Sequence, residues 1–350
     1  MTVKDEIRNL LKQLSASDLE EVGAEVTEML DTKVNFPTFF KECAEQRFSE
    51  GLVCPRCGKK HIVKAGRYGK DKSRQRFQCQ DCRKTFCMNT DTIFSHTKLR
   101  MSDWLKYAKC VQEGKTLREC AKEVGVCLKT SFYMRHKILS AFKQSIGIDH
   151  LSGIIEMDET FFAESFKGNH KKHNPEWVAP RDSGKSRKRG KQGKYRGISH
   201  ELLCLATGMD RNGGIVAVPL CMGRATTNAL LGVYGGNVEK GSTVCTDSNS
   251  AYRRLAETLS VDLIQIASGK HKKGVYHINN INSLHNRLKK WLDTRYGIAT
   301  KYVGNYAYWF NWLERNGSIE KHKKGRNIIY LCMSTPLKMT QEMVRLTLPF

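Results

Sequence analysis

The sequence predicts an α/β protein: a small metal-stapled module, then a helical region, then a larger domain built on a mixed β-sheet with helices against it. Three observations carry that expectation. Two Cys-x2-Cys pairs, Cys54/Cys57 and Cys79/Cys82, are separated by a basic stretch. Helical periodicity interrupted by a glycine turn fills residues 102–140. From residue 153 onward, apolar runs of strand length alternate with amphipathic helical stretches, the pattern of a sheet that must bury a face against helices.

Charge and composition narrow the partners. The 350 residues carry 59 Lys and Arg against 35 Asp and Glu, a formal net charge of +24. Such an excess suits a polyanion, because neutralising phosphates releases condensed counterions. A membrane protein is excluded as an expectation: no stretch approaches the ~18 apolar residues of a span, and Met1-Thr2-Val3-Lys4-Asp5-Glu6 lacks a signal-peptide core. The expected setting is soluble and intracellular. Thirteen cysteines, an odd number, fit a reducing compartment better than a disulfide framework.

In chain order, residues 1–45 place Leu10, Leu11, Leu14, Leu19, Val22, Val26 and Leu30 at helical spacing, with a helix start near Ser15. Two short helices that pack on a neighbour or mediate dimer contact account for them. Residues 46–92 hold the cysteine pairs. Each knuckle turns tightly enough to aim two thiolates at one ion, and the intervening segment, with Arg74-Gln75-Arg76-Phe77-Gln78 alternating as a strand, can fold back to complete a tetrahedral site. The expected occupant is one structural Zn²⁺, since four thiolates leave no position open for a substrate. Lys59, Lys60, Lys64, Arg67, Arg74 and Arg76 make this ribbon basic, as a DNA contact or a solvated surface would be.

Residues 98–145 read as a helix-turn-helix region. Ser102 caps one helix, Thr116 with Glu119 forms a capping box for the next, Gly125 breaks the chain, and a further helix runs from Lys129 to Leu139. In a DNA-reading arrangement Lys129, Thr130 and Tyr133 would lie closest to base edges, with Arg135, His136 or Lys137 nearer the backbone. The same pattern also occurs as a plain packing unit.

The domain at 150–315 opens with the apolar run 153–157, which ends in Asp158. A basic insertion at 165–198, including Arg187, Lys188 and Arg189, interrupts it as an exposed loop that contacts phosphate or simply faces water. Strands at 202–207 and 214–219 join through Asp210-Arg211-Asn212-Gly213, a turn rich in residues that tolerate positive φ. A helix at 226–233 precedes a strand at 242–246 that ends in Asp247; a helix, a short strand at 263–266 and a last helix at 281–292 follow. This order suits a ribonuclease-H-like arrangement. Its first and fourth strands lie side by side, so Asp158 and Asp247 would meet at the strand tips. On the last helix Ile281, Leu284, Leu288, Trp291 and Leu292 form an apolar stripe, while Asn282, His285, Asn286 and Lys289 fall on another face that points into a site or into solvent. Residues 316–350 are read as a C-terminal tail.

Several stretches together resemble bacterial insertion-sequence transposases of the DDE type with an N-terminal zinc ribbon. They are the four-cysteine ribbon, Met157-Asp158-Glu159-Thr160-Phe161, Thr246-Asp247-Ser248-Asn249-Ser250-Ala251-Tyr252, and His277 through Leu284 running into Leu288-Lys289-Lys290-Trp291. The resemblance covers the chain from about Phe36 to Trp312. It implies a ribonuclease-H-like catalytic core, divalent metal (Mg²⁺ or Mn²⁺), and cleavage and strand transfer at double-stranded DNA, both the element's terminal inverted repeats and the target. Position by position, Asp158 and Asp247 match the first two acidic ligands and Lys289 the basic residue two turns along the last helix. Asn282 stands where many relatives carry Glu, the Asp-Asp-Asn-Lys variant. An Asn carbonyl can ligate Mg²⁺ but brings no charge. Glu156 and Glu159 flank Asp158 and are set aside only by the motif match. A homodimer pairing two DNA ends is the expectation for such chemistry. Two other classes stay open: a DNA-binding protein with a decayed catalytic site, and a structure-selective nuclease on the same fold.

Overall fold

The computed structural model describes residues 2–30, 39, 42–43, 45, 47–49, 51–69, 74–168, 195–267, 269–270, 272–317 and 321–350. They form two compact units, residues 1–106 and 107–350.

In the first unit, α1 (Val3–Leu11) opens with a capping box in which the Thr2 backbone N–H donates to Asp5 at 3.0 Å, and α2 (Ala16–Leu30) starts where the Asp18 N–H donates to Ser15 Oγ at 3.2 Å. α1 buries none of its residues, and Leu10 is 58% exposed. Strands β1 (Ile62–Tyr68), β2 (Arg74–Cys79) and β3 (Thr85–Cys87) form an antiparallel sheet in that order. Its core is small: Cys54, Phe77, Cys79 and Phe86, with Phe77 stacked on Phe86 at 5.6 Å between centroids. So few apolar side chains cannot hold a sheet of this size, which is why the cysteines matter to the fold.

The second unit is organised by a five-stranded mixed sheet. Strands β4 (Ile154–Ala163), β5 (Leu202–Asp210), β6 (Ile215–Met222), β7 (Thr243–Thr246) and β8 (Asp262–Gln265) lie in the order β6-β5-β4-β7-β8. β4, β5 and β6 form an antiparallel meander; β7 and β8 run parallel to β4. Helices α6 (Thr227–Tyr234) and α7 (Ala251–Leu259) make the crossovers to β7 and β8. This is the ribonuclease-H-like arrangement, with the first and fourth strands of the domain adjacent. One expectation needs correction: Asp158 is not at a strand tip. β4 continues to Ala163 because its second half stays paired with β5, Asp158 opposite Thr207, after β7 has ended.

Helices α3 (Met101–Gln112), α4 (Leu117–Val124) and α5 (Leu128–Ile146) occupy the stretch expected to be a helix-turn-helix region, with the Thr116–Glu119 capping box formed and Gly125 at φ +73°. The longer α5 departs from a free reading helix. It packs against α9 (Val303–Arg315), α10 (Lys321–Ser334) and α11 (Gln341–Arg345), and buries Tyr133, Met134, Arg135, His136, Ile138, Leu139 and Phe142. A helix apolar most of the way round goes to the interior. The Arg135 guanidinium is accommodated there by donating to the Lys115 carbonyl at 2.6 Å and lying over the Trp309 ring at 5.0 Å. The described residues expected to form a C-terminal tail are likewise packed: Ile328, Ile329, Cys332, Met333 and Val344 are buried. No helix among the described residues is long and apolar enough to cross a membrane.

Candidate functional site

Two sites follow, one in each unit. In the ribbon the sulfurs of Cys54, Cys57, Cys79 and Cys82 all lie within 4.8 Å of one another. Cys54 Sγ stands 3.7 Å from Cys82 Sγ, and Cys57 Sγ 3.6 Å from Cys79 Sγ. A tetrahedron with Zn–S bonds of ~2.3 Å has edges of ~3.8 Å. The two knuckles are built alike: the Cys54 N–H donates to the Lys59 carbonyl and the Cys79 N–H to the Lys84 carbonyl, with Gly58 and Arg83 both at positive φ. The Lys84 backbone and the surrounding thiols lower Cys82, while the same neighbouring thiols raise Cys57, as expected of four sulfurs sharing protons at close quarters. The cluster is consistent with one structural Zn²⁺.

The second site is a cleft of about 530 Å³ lined by Asp158, Glu159, Arg224, Asp247, Ser248 and Asn249, among others. Parallel pairing of β4 with β7 ends at Glu156 opposite Cys245, two residues short of both aspartates, so the continuing register sets Asp158 against Asp247. The ladder stops where the carboxylates begin, and the gap opens the cleft. Asp247 is held by its own loop: its Oδ1 accepts from the Asn249 N–H at 2.9 Å, and Gln265 Nε2 donates to its carbonyl at 3.1 Å. Asp158 Oδ1 accepts from the Glu159 N–H at 2.8 Å. Burial pushes Asp158 up to about 7, and the charges of Asp247 and Glu159 push the same way against the weaker pull of Lys289. Burial also raises Glu159, whose Oε2 accepts from Asn249 Nδ2 at 3.5 Å.

Helix α8 (Asn279–Asp293) crosses the face of β4 that carries Glu156 and Asp158. Glu156, 1% exposed, is its anchor. That carboxylate accepts from the Asn280 N–H at 2.8 Å, Asn280 Nδ2 at 2.9 Å and the Ile281 N–H at 3.0 Å, and pairs with Arg211 at 3.0 Å. It satisfies free amides in the first turn of the helix, where negative charge is favoured. One turn along, His285 is buried with Nδ1 3.8 Å from Asp158 Oδ2 and Nε2 2.6 Å from Thr207 Oγ1. Burial and Lys289 push His285 down to about 4, so it is neutral at physiological pH.

Of the residues singled out in the sequence, Asp158 and Asp247 come together in the cleft, and Lys289 acts on Asp158 through its charge from an exposed position on α8. Asn282 is exposed on the same helix and is not among the cleft-lining residues; helix geometry sets it roughly 20° from Lys289 around the axis. In the helix-turn-helix, Lys129 is exposed and Thr130 half-buried. Tyr133 is buried and its hydroxyl accepts from Arg345 Nε at 2.8 Å, so it belongs to packing; the same correction applies to Arg135 and His136, each 1% exposed. Arg187, Lys188 and Arg189 lie outside the described residues. Sequence reasoning missed Thr207, set Glu156 aside on the motif match, and placed His285 on the polar face of its helix. For His285 a signal existed: it lies four residues after Ile281 and three before Leu288, in the middle of the apolar stripe.

Strand order and cleft together define a ribonuclease-H-like domain whose open site is built from acids on neighbouring strands. Residues 150–314 match the family model of the ISXO2-like transposase domain. A similar protein is an uncharacterised protein in the transposable element ISH50 of Halobacterium salinarum, 26% identical over 260 residues that span 73% of this chain and 83% of the relative. Among solved structures, an intasome of simian T-cell lymphotropic virus bound to PP2A regulatory subunit B56 gamma matches at TM-score 0.27 and 14% identity, covering 58% of this chain and 67% of the other. A pre-cleavage Mos1 transpososome matches at TM-score 0.19 and 14% identity, covering 68% and 79%. At such scores the fold assignment rests on the strand order.

Proposed function

We propose that the protein is a DNA transposase that binds the ends of an insertion sequence, cleaves a strand there and transfers it into target DNA. The observation that carries this reading is the half-buried Asp158 carboxylate set against Asp247 where the β4–β7 ladder stops. The donor set fits a divalent cation. Asp158, Glu159 and Asp247 crowd negative charge into one cleft, Lys289 answers it only from an exposed position, and hard oxygen donors suit Mg²⁺ or Mn²⁺. Asp158 and Asp247 would hold the metal. When bound, the metal polarises the scissile phosphate and activates the attacking oxygen.

The remaining work falls to the chain's own residues. Lys289 supplies positive charge beside Asp158 for a non-bridging phosphate oxygen. Arg224, on the cleft wall, is placed to bind the flanking backbone. Exposed Lys129 on α5 and the ribbon's exposed Lys59, Lys60, Lys64, Arg67, Arg74 and Arg76 offer phosphate contacts that hold the DNA end in register. Glu156 fixes the start of α8, and with it the positions of Asn282 and Lys289 relative to Asp158. Pairing two ends within a homodimer is part of the proposal.

Purified protein, Mg²⁺ or Mn²⁺ and a labelled element end test the reading. Strand transfer is the expected result; binding without nicking means a decayed catalytic site, and hydrolysis without joining means a nuclease. Asp158→Ala should abolish joining while end binding stays within about threefold, a change of under ~1 kcal/mol. Equal loss of binding and joining would show Asp158 to be structural.

A further inference from the structure

The hydrogen bonds around His285 fix which of its nitrogens carries the proton. Thr207 Oγ1 donates to the Asp158 carbonyl at 2.7 Å, and a hydroxyl has one proton to give. The 2.6 Å contact between Thr207 Oγ1 and His285 Nε2 is therefore Nε2–H donating to the hydroxyl. Nδ1 is left as a bare lone pair, with Asp158 Oδ2 3.8 Å away. A cation coordinated by both would satisfy these two acceptors at once. A neutral imidazole that donates one N–H to a fixed oxygen acceptor and presents the other nitrogen as a lone pair is the arrangement of metal-ligating histidines.

We propose that His285 Nδ1 is a direct ligand of the divalent cation held by Asp158, with Thr207 orienting the ring. The inference rests on the metal-dependent reading of the cleft and deepens it. Helix α8 would then reach the metal through an imidazole fixed to the sheet, while Asn282, exposed one turn earlier, serves the outer side of the site or the DNA. Imidazole raises affinity for Mn²⁺ over Mg²⁺ compared with an all-oxygen site, so the proposal also assigns a metal preference.

The zinc-loaded full chain is titrated with Mn²⁺ and examined by pulsed electron paramagnetic resonance, which detects a coordinated ¹⁴N directly and needs no turnover. Wild type should bind Mn²⁺ with an imidazole nitrogen coupling. In His285→Gln, whose amide nitrogen can keep the contact to Thr207, the coupling should vanish. Mn²⁺ affinity should fall roughly 10-fold or more, and Mg²⁺ affinity less. Mn²⁺ bound in an Asp158-dependent manner with no nitrogen coupling, or a coupling that persists in His285→Gln, overturns this assignment and leaves the transposase reading intact. If Mn²⁺ binds wild type no better than Asp158→Asn, both the ligand assignment and the metal-dependent reading fail.

Discussion

The ribbon and the cleft are two acid-rich or thiol-rich sites that the fold treats in opposite ways. In the ribbon four sulfurs lie within 4.8 Å of one another, drawn together by two matching turns over a core of four buried residues. Among the described residues no other group of three or more Cys, His, Asp or Glu closes up this way. In the cleft the aspartates are brought into one cavity but stop short of such closure, and the cost appears as a carboxylate pushed up to about 7. The ribbon gathers ligands in order to fold; the cleft keeps charged groups apart and under-satisfied on a scaffold that is already stable. The contrast recurs within one strand. Glu156 and Asp158 share a face of β4, yet Glu156 has backbone, amide and guanidinium partners while Asp158 has one N–H and a lone pair facing it.

That comparison can be broken in four places. The largest effect is expected at the ribbon. Cys57→Ser should release zinc and unfold residues 51–87, because metal binding there supplies folding free energy on the order of 10 kcal/mol, while the 107–350 unit keeps its own melting transition. Metal analysis with limited proteolysis reads both, and unchanged zinc content would refute the assignment. Next, Glu156→Ala leaves Arg211 and the first amides of α8 without their buried partner. A loss of about 3–5 kcal/mol in denaturant unfolding is expected, and a change of only a few tenths would show that α8 is anchored elsewhere.

Asp158→Asn should act with the opposite sign. The folded-state pKa of Asp158 lies above its unfolded value of 3.8, so ionisation costs stability progressively as pH rises from about 4 to about 7. In metal-free protein at pH 8 the Asn variant should be more stable than wild type by about 1–3 kcal/mol, and the gap should close near pH 4. A variant less stable than wild type at pH 8 would mean that Asp158 is a structural carboxylate like Glu156. The smallest effect lies far from either site. His136 is buried against Phe132 and Tyr302, and burial holds it down at about 3. Its folded pKa is depressed, so stability is full above about 6.5 and is lost as pH falls, by at most about 1.4 kcal/mol per pH unit. His136→Gln should flatten that part of the stability–pH curve.

Legibility in the sequence followed locality. The cysteine knuckles, the Thr116–Glu119 capping box and the Gly125 turn are decided within a few residues, and each formed as expected. The order of strands and helices was readable because apolar runs of two lengths alternate. The burial of α5 was not, because its face is covered by α9, α10 and α11 from the far end of the chain, part of it read as a tail. His285 was grouped with polar neighbours on residue type although its spacing placed it among Ile281, Leu284 and Leu288.

The sequence by itself determined which donors this protein owns and how they are spaced: four thiols in two turns, an aspartate on each of two apolar runs, and a helix carrying Asn282, His285 and Lys289. Tertiary structure alone decided the division of labour. Glu156 and Asp158 are two residues apart on one strand face and chemically alike, and they differ only in what lies across from them. The first turn of α8 covers one and a cleft opens beside the other. Partners distant in sequence, Asn280 and Arg211 for Glu156 and Asp247 for Asp158, set those environments, and a carboxylate's charge, hydrogen bonds and affinity for metal follow from its environment.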